Sequence, residues 1–257
     1  MFHHTAHHIF RPDGTKEKID TVLKVPAKDT WSKSLSNKWS RLTQGNIYGV
    51  RSTDTIDFIH CHGVPRDRDV AYATFVLNYK PLKDEKHRVR IIMGGDCITY
   101  LYDAGSPSAN LNKAKVLLNS TISDAKHSAQ FMSADIKDYF LVTPMARAEF
   151  TKFPSRHIAV YIMRKYDLHN KVTSYNYIYI RIKKSMYILK QAAILAYKHL
   201  KATLDPYGYT PVIITVSLRK QNMHPTNFCL CVDNFGIEYF SKPNTKHLLD
   251  VIVRTYS

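Results

Sequence analysis

Two aspartates stand where apolar runs end. Asp135 closes Phe131-Met132-Ser133-Ala134-Asp135, and Asp233 follows Phe228-Cys229-Leu230-Cys231-Val232. Each run is short enough for a buried strand and each is followed by turn-forming residues, so the carboxylates are expected to meet at the lip of one sheet. Magnesium prefers oxygen ligands and is commonly held by one or two protein carboxylates together with substrate phosphates. Two acids on neighbouring strands therefore point to nucleotidyl transfer, in which two ions about 3.5 to 4 Å apart clamp the attacking and leaving oxygens. The same residues have a plainer reading. Asp135 would cap the turn after its strand, and Asp233 would open an Asp233-Asn234-Phe235-Gly236 hairpin, since Asp and Asn favour both places.

The elements that must carry these acids are readable from periodicity. Residues 51–59 and 70–79 read as strands, the second rich in Val, Phe and Tyr. Ser108 is expected to cap a helix over 110–122, with Leu111, Ala114, Leu118 and Ile122 as its apolar stripe. Residues 131–136 form the strand that ends at the first acid. Tyr175 to Ile182 alternates strongly, and its tyrosines should share one face of a half-buried strand. A second helix is expected over 191–204, using Ala192, Leu195, Ala196, His199 and Leu200, and stopping before Pro206 and Gly208. Residues 227–232 and 235–240 make the hairpin whose turn carries Asp233 and Asn234. The first 40 residues are polar and weakly periodic and read as an N-terminal arm, with the remaining residues, 41–257, as the folded region.

Composition narrows the classes. A chain of 257 residues, 44% hydrophobic, with 17 tyrosines and 11 phenylalanines, buries a sizeable core in one large domain or two small ones. Its 37 basic and 21 acidic residues give a net charge of +16, which favours a polyanionic partner. Lys86, Arg88 and Arg90 alternate along one predicted hairpin and would share a face, either to hold phosphates or to blunt an exposed edge. Lys183, Lys184, Lys190 and Lys198 are further candidates for salt-dependent backbone contacts. Cys61, Cys97, Cys229 and Cys231 make no zinc pattern, and Cys229 with Cys231 should face one way as small core residues. His3 with His7, and His4 with His8, would share a helical face able to hold a metal, or lie in a frayed terminus. The start of the chain has no apolar core of a secretory signal, and the longest apolar stretch, 212–218, is too short to span a bilayer. An intracellular setting, cytoplasm or nucleus, with no membrane partner, is expected.

Lys183-Lys184-Ser185-Met186-Tyr187-Ile188-Leu189-Lys190-Gln191-Ala192 closely resembles the K-K-S-L-Y-G-L-K-Q-A segment of reverse transcriptases from Copia-type retrotransposons. Three more motifs stand in family order. Pro81-Leu82-Lys83-Asp84-Glu85-Lys86-His87-Arg88-Val89-Arg90-Ile91 is similar to the basic fingers hairpin. Asp135-Ile136-Lys137-Asp138-Tyr139-Phe140-Leu141 is similar to the first palm motif, with Ala148-Glu149-Phe150 following as its next strand. Cys231-Val232-Asp233-Asn234 is similar to the Y-V-D-D box. The resemblance spans roughly residues 41–249.

It implies an α+β polymerase right hand of fingers and palm, an antiparallel palm sheet backed by helices, and a thumb mostly absent. It also implies an RNA-directed DNA polymerase working on an RNA or DNA template with primer and deoxynucleoside triphosphates. Asp135 and Asp233, with the carbonyl of Ile136, would hold two Mg2+ ions, for which Mn2+ would substitute. Lys83, Lys86 and Arg88 would neutralise the triphosphate, Asp138 would lie beside the nucleotide, Phe140 would exclude a 2′-hydroxyl, and Gln191 would contact nucleotide and template. The departures sit close to the chemistry. Asn234 stands where the family has a second aspartate, so it keeps the shape and loses the charge. Ile188 puts a β-branched side chain where glycine is usual, at a place that calls for positive φ or a close approach to the nucleotide. Ala193 and Cys231 also depart from the pattern. A catalytically inactive remnant that only binds nucleic acid is the alternative that these changes imply.

Overall fold

The computed structural model describes residues 7–8, 16–24, 28–45, 49–82, 84–212, 215–231 and 233–256, with the backbone alone for residues 7, 8, 215 and 216. In chain order the elements are β1 (His7–His8), α1 (Ile19–Val22), α2 (Lys28–Leu42), β2 (Ile56–Ile59), β3 (Val70–Tyr79), β4 (His87–Met93), α3 (Leu111–Ser123) and β5 (Gln130–Asp135). There follow β6 (Pro144–Pro154), α4 (Val160–Lys165), β7 (Tyr177–Lys184), α5 (Ala192–Leu204), β8 (Thr210–Val212), β9 (Thr215–Gln221), β10 (Thr226–Cys231), β11 (Asn234–Tyr239) and α6 (Lys242–Tyr256). Two sheets and a mixture of helices make this an α+β chain. It divides into two compact units: residues 1–101 with 145–190, and residues 102–144 with 191–257.

The first unit is built on a six-stranded sheet in the order β1-β3-β6-β7-β2, with β4 paired to β3. β3 and β4 form an antiparallel ladder from Tyr79 opposite His87 to Ala73 opposite Met93, while β3 runs parallel to β6. Along β7 the expected alternation holds, since Ile178, Ile180 and Ile182 are buried while Tyr177 and Tyr179 lie half-buried on the other face. α2 lies within the segment read as a loose arm. Its polar run conceals an amphipathic helix whose buried stripe, Trp31, Leu35, Trp39 and Leu42, recurs at helical steps. Trp39 is fully buried, packs edge-on to Phe153 with centroids 5.0 Å apart, and donates its indole N–H to the His157 carbonyl at 2.9 Å. Two tryptophans supply enough apolar area to anchor a helix whose mean composition is polar. The expected strand over 51–59 is limited to its last four residues. Before it, Thr53 and Thr55 donate their amides to the carbonyls of Arg41 and Leu42 at the end of α2.

The second unit is a five-stranded antiparallel sheet in the order β5-β11-β10-β9-β8. Alternation along β10 sets its two faces. Cys229 packs with Ala109 and Leu117 towards α3, whereas Phe228 and Leu230 share a small cavity with Leu200 and Leu204 of α5. Helices therefore cover both faces. α3 starts at Asn110, whose side chain accepts from the Lys113 amide at 3.1 Å, and not at Ser108. Its apolar stripe also differs from the expected one: Leu117 and Thr121 are buried, and Leu111, Leu118 and Ile122 are exposed. The sheet face it meets is lined by Cys229 and Gly236, where an added Cβ would come within 3.1 Å of the Phe131 ring. The helix meets that face with its Ala114, Leu117 and Thr121 side. Among the described residues no helix is long and apolar enough to cross a membrane.

Candidate active site

The geometry around the two aspartates follows from antiparallel register. β11 pairs with both β10 and β5, and its first residue, Asn234, lies opposite Cys231 on one side and Asp135 on the other. Asn234 therefore belongs to the strand, not the turn. One step beyond the Asn234–Asp135 pair, the Ile136 amide donates to the Asp233 carbonyl at 3.1 Å. Asp135 and Asp233 thus stand at the same end of neighbouring strands, as their spacing in the sequence implied. The Asp135 residue is exposed and Asp233 half-buried. Asn234 donates through Nδ2 to Asp233 Oδ1 at 2.9 Å.

Beyond β5 the chain turns tightly. Asp138 takes φ of +58°, in the left-handed region that Asp tolerates better than most residues, and its carbonyl accepts from the Val142 amide at 3.2 Å. The turn buries Tyr139, Phe140 and Leu141. Phe140 stacks obliquely on Tyr139 at 5.3 Å and lines a cavity of about 40 Å³ with Tyr139, Ala193, Leu230, Ser106 and Ser108. Gln191 is the N-terminal flanking residue of α5 and is 3% exposed, with its carbonyl accepting from Leu195.

Sequence reasoning passed over Tyr139. Its side chain is 2% exposed and its hydroxyl has no hydrogen-bond partner among the described residues. Burial, added to by the neighbouring Tyr256 and the Asp233 carboxylate, pushes this hydroxyl far above its ordinary value, so it stays protonated. The signal available in the sequence was only its place in the Asp138-Tyr139-Phe140 run. Cys229, by contrast, behaves as read: burial first, and Cys231 beside it, lift its thiol to about 11, as suits an inert core residue.

The basic candidates belong to the first unit. On β4 Val89, Ile91 and Met93 are buried, and Arg88 and Arg90 alternate with them on the outer face, continuing from the exposed Lys86. Arg88 approaches Glu85 at 3.9 Å. Lys83 and the histidines His3 and His4 lie outside the described residues. Three of the four other lysines are tied down internally. Lys183 bridges Asp54 at 2.7 Å and Asp57 at 2.9 Å, Lys184 donates to the Thr53 carbonyl, and Lys190 donates to the Ile98 carbonyl. Lys198 is exposed on α5.

The segment that follows β7 is held by close backbone packing. Ile188 takes φ of +75° and is exposed, which is unusual for a β-branched residue. Its carbonyl lies where a Cβ on Gly95 would come within 2.1 Å of it. The position therefore combines positive φ with a close backbone approach to Gly95.

The donor set at the strand ends suits a hard divalent cation in part. Two carboxylates and a backbone carbonyl offer oxygen ligands of the right kind, and substrate phosphates would complete a shell. Among the described residues no third His, Cys, Asp or Glu joins them to make a metal-binding group. Compared with known proteins, the sequence matches no family model and no curated protein.

Proposed function

We propose that the second unit is the palm, and the first the fingers, of a reverse transcriptase descended from a Copia-type retrotransposon, and that it transfers nucleotides onto a primer 3′-hydroxyl. One observation carries this reading: Asn234 lies opposite Asp135 while the Ile136 amide bonds to the Asp233 carbonyl, so one end of two neighbouring strands presents both acids. The four motifs in family order and the excess of 37 basic over 21 acidic residues support it. Asp135, Asp233 and the Ile136 carbonyl would hold Mg2+ or Mn2+, which when bound lowers the charge on the phosphates and favours deprotonation of the primer hydroxyl. Lys86 and Arg88 would offset triphosphate charge, and Phe140 and Gln191 would shape the nucleotide pocket. Catalysis on this scheme is positioning and charge neutralisation, and no side chain forms a covalent bond.

A second reading has its own observation. The Asn234 amide donates to Asp233 Oδ1, the oxygen a cation would use, so the strand end is satisfied without metal. On that reading the chain binds template and primer but cannot extend them. Single-nucleotide incorporation measured with Mg2+ and then Mn2+ separates the two. Weak incorporation that rises with Mn2+ and vanishes in Asp135→Asn is the result expected of a polymerase. Salt-sensitive nucleic-acid binding with no metal-dependent incorporation identifies the binding-only form, and a folded protein that does neither overturns both.

A further inference from the structure

Away from the aspartates, the second unit presses two histidines together. His224 stands in the turn between β9 and β10 and His247 in the second turn of α6, with their rings stacked at 4.0 Å between centroids and 18° from parallel. Both residues are half-buried. Gln221 fixes the turn: its Oε1 accepts from the Met223 and His224 amides at 2.5 and 3.0 Å, and its Nε2 donates to the Tyr207 carbonyl at 3.0 Å. His247 Nδ1 is hydrogen-bonded to Tyr209 Oη at 2.8 Å. Tyr209 is fully buried, and burial lifts its hydroxyl to about 12, so it keeps its proton. A neutral imidazole can accept from it, whereas a charged one only donates and leaves the buried hydroxyl proton without that partner. The stack therefore ties α6 to the turn and to residues 207–209. Further along the helix, the buried Tyr256 meets the Tyr139 ring at 5.8 Å, in the run that follows Asp135.

The groups around His247 decide how it answers acid. Tyr207 and Tyr209 face it from the segment before β8, at 6.0 and 5.8 Å between ring centroids, and His224 faces it from the turn. On its own helix, Asp250 takes a bond from Lys246 at 2.5 Å, and Arg254 donates to Tyr207 Oη at 3.4 Å. Burial first, then His224 and Arg254, hold the His247 imidazole below its ordinary value, and Asp250 opposes them. A histidine so lowered takes up its proton more readily once exposed, so its stabilisation is complete above the ordinary histidine range and is lost as pH falls through it. One other histidine touches α6. His199 of α5 meets Tyr256 edge-on at 5.5 Å, and burial lowers it in the same direction.

We propose that the His224–His247 stack is an acid-released latch: neutral rings hold α6 to the β9–β10 turn, and protonation opens the contact and loosens the helix as far as Tyr256. Two charged rings at this spacing repel, so the closed form admits one proton at most. Hydrogen exchange of the full chain at pH 7.5 and 5.5, corrected for the intrinsic rate, tests it residue by residue. Protection of the α6 amides should fall by about tenfold or more, since one histidine protonated on opening is worth up to about tenfold over this range. His247→Phe keeps a ring in the stack and cannot charge, and it should cancel about fivefold of that fall. His224→Phe, in the turn, should cancel about twofold, and it serves should the first variant fold poorly. A fall undiminished in both variants would place the acid response elsewhere, as at His199, and overturn the proposal. So would α6 amides as well protected at pH 5.5 as those of β10 and β11, because the helix would then leave only when the whole sheet unfolds.

Discussion

The turn between β10 and β11 and the segment that follows β7 carry the two motifs with the strongest resemblance to reverse transcriptases, and they differ from what they resemble in opposite ways. At the first, Asn234 keeps the backbone of a regular antiparallel ladder and surrenders a charge. At the second, Ile188 surrenders no charge and holds an unfavourable backbone, at φ +75° with its side chain exposed. One difference leaves the ladder intact and bears on the charge beside the two acids. The other weighs on folding and leaves the acids alone. The two segments thus differ in kind, one in charge and one in conformation, and the two should separate by experiment.

The largest expected effect tests whether the second segment is truly held by backbone contact. Gly95→Ala places a Cβ within 2.1 Å of the Ile188 carbonyl, where neither chain has a flexible end to move. A loss of about 3 kcal/mol in denaturant unfolding, or failure to fold, is expected. A loss below about 0.5 kcal/mol would mean that the two backbones part easily, and the contrast would weaken.

Next comes Lys183, read from sequence as a nucleic-acid contact and found bridging Asp54 and Asp57. Burial pushes the Asp57 carboxyl up, but hydrogen bonds from Arg181 and Lys183 outweigh it and hold the group below its ordinary value. Because the folded-state value is depressed, this stabilisation is fully present above the ordinary carboxylate range and fades as acid protonates Asp57. Lys183→Met should therefore cost about 1.5 kcal/mol at neutral pH and less on acidification, whereas Lys198→Met on the exposed face of α5 should change stability by less than about 0.5 kcal/mol. Nucleic-acid affinity should respond in the reverse order, with Lys198→Met reducing its salt dependence.

Restoring the missing charge addresses the first turn. Asn234→Asp puts a third carboxylate at the strand end, beside Asp233 and opposite Asp135, and exchanges a donor for a repulsion. Like charges raise the folded-state values of such groups, so the variant should lose stability as pH rises through the carboxylate range, by about 1 kcal/mol in the absence of divalent ions. Mg2+ should recover that loss and raise incorporation by about tenfold if the polymerase reading holds. Destabilisation without rescue by Mg2+ or Mn2+ would leave the strand end with no affinity for metal.

What the sequence made legible follows the same division. Short runs rich in β-branched, aromatic and apolar residues marked β3 at Val70–Tyr79, β5 up to Asp135 and the β10–β11 hairpin, where a short turn leaves little freedom in register. The placing of Asp135 and Asp233 at one end of neighbouring strands was legible for that reason, while Asn234 was read as part of the turn and belongs to β11. Three things were not. α2 was concealed because two tryptophans can carry a helix of polar mean composition. The buried face of α3 is set by the sheet surface it packs on, which includes Cys229, Phe131 and Leu218, and that surface is absent from the helix's own periodicity. The lysines of the Lys183-Lys184 pair were assigned outward by charge alone, and only the fold shows that acids and carbonyls from residues 53–57 claim them.

The smallest expected effect bears on Ile188 itself. A β-branched residue in the left-handed region costs roughly 1 to 3 kcal/mol relative to its preferred backbone. Glycine removes that cost but gives back up to about 1 kcal/mol through the greater freedom of the unfolded chain. Little packing offsets the exchange, since Ile188 is 58% exposed. Ile188→Gly should accordingly raise stability by about 0.5 to 1 kcal/mol, and Ile188→Asn, whose short polar side chain tolerates positive φ, should gain less. Neither should alter metal-dependent stabilisation. If both variants are less stable than the parent, the Ile188 side chain contributes packing that outweighs its backbone cost. The two turns would then differ in chemistry alone, with the strain at Ile188 compensated within the first unit.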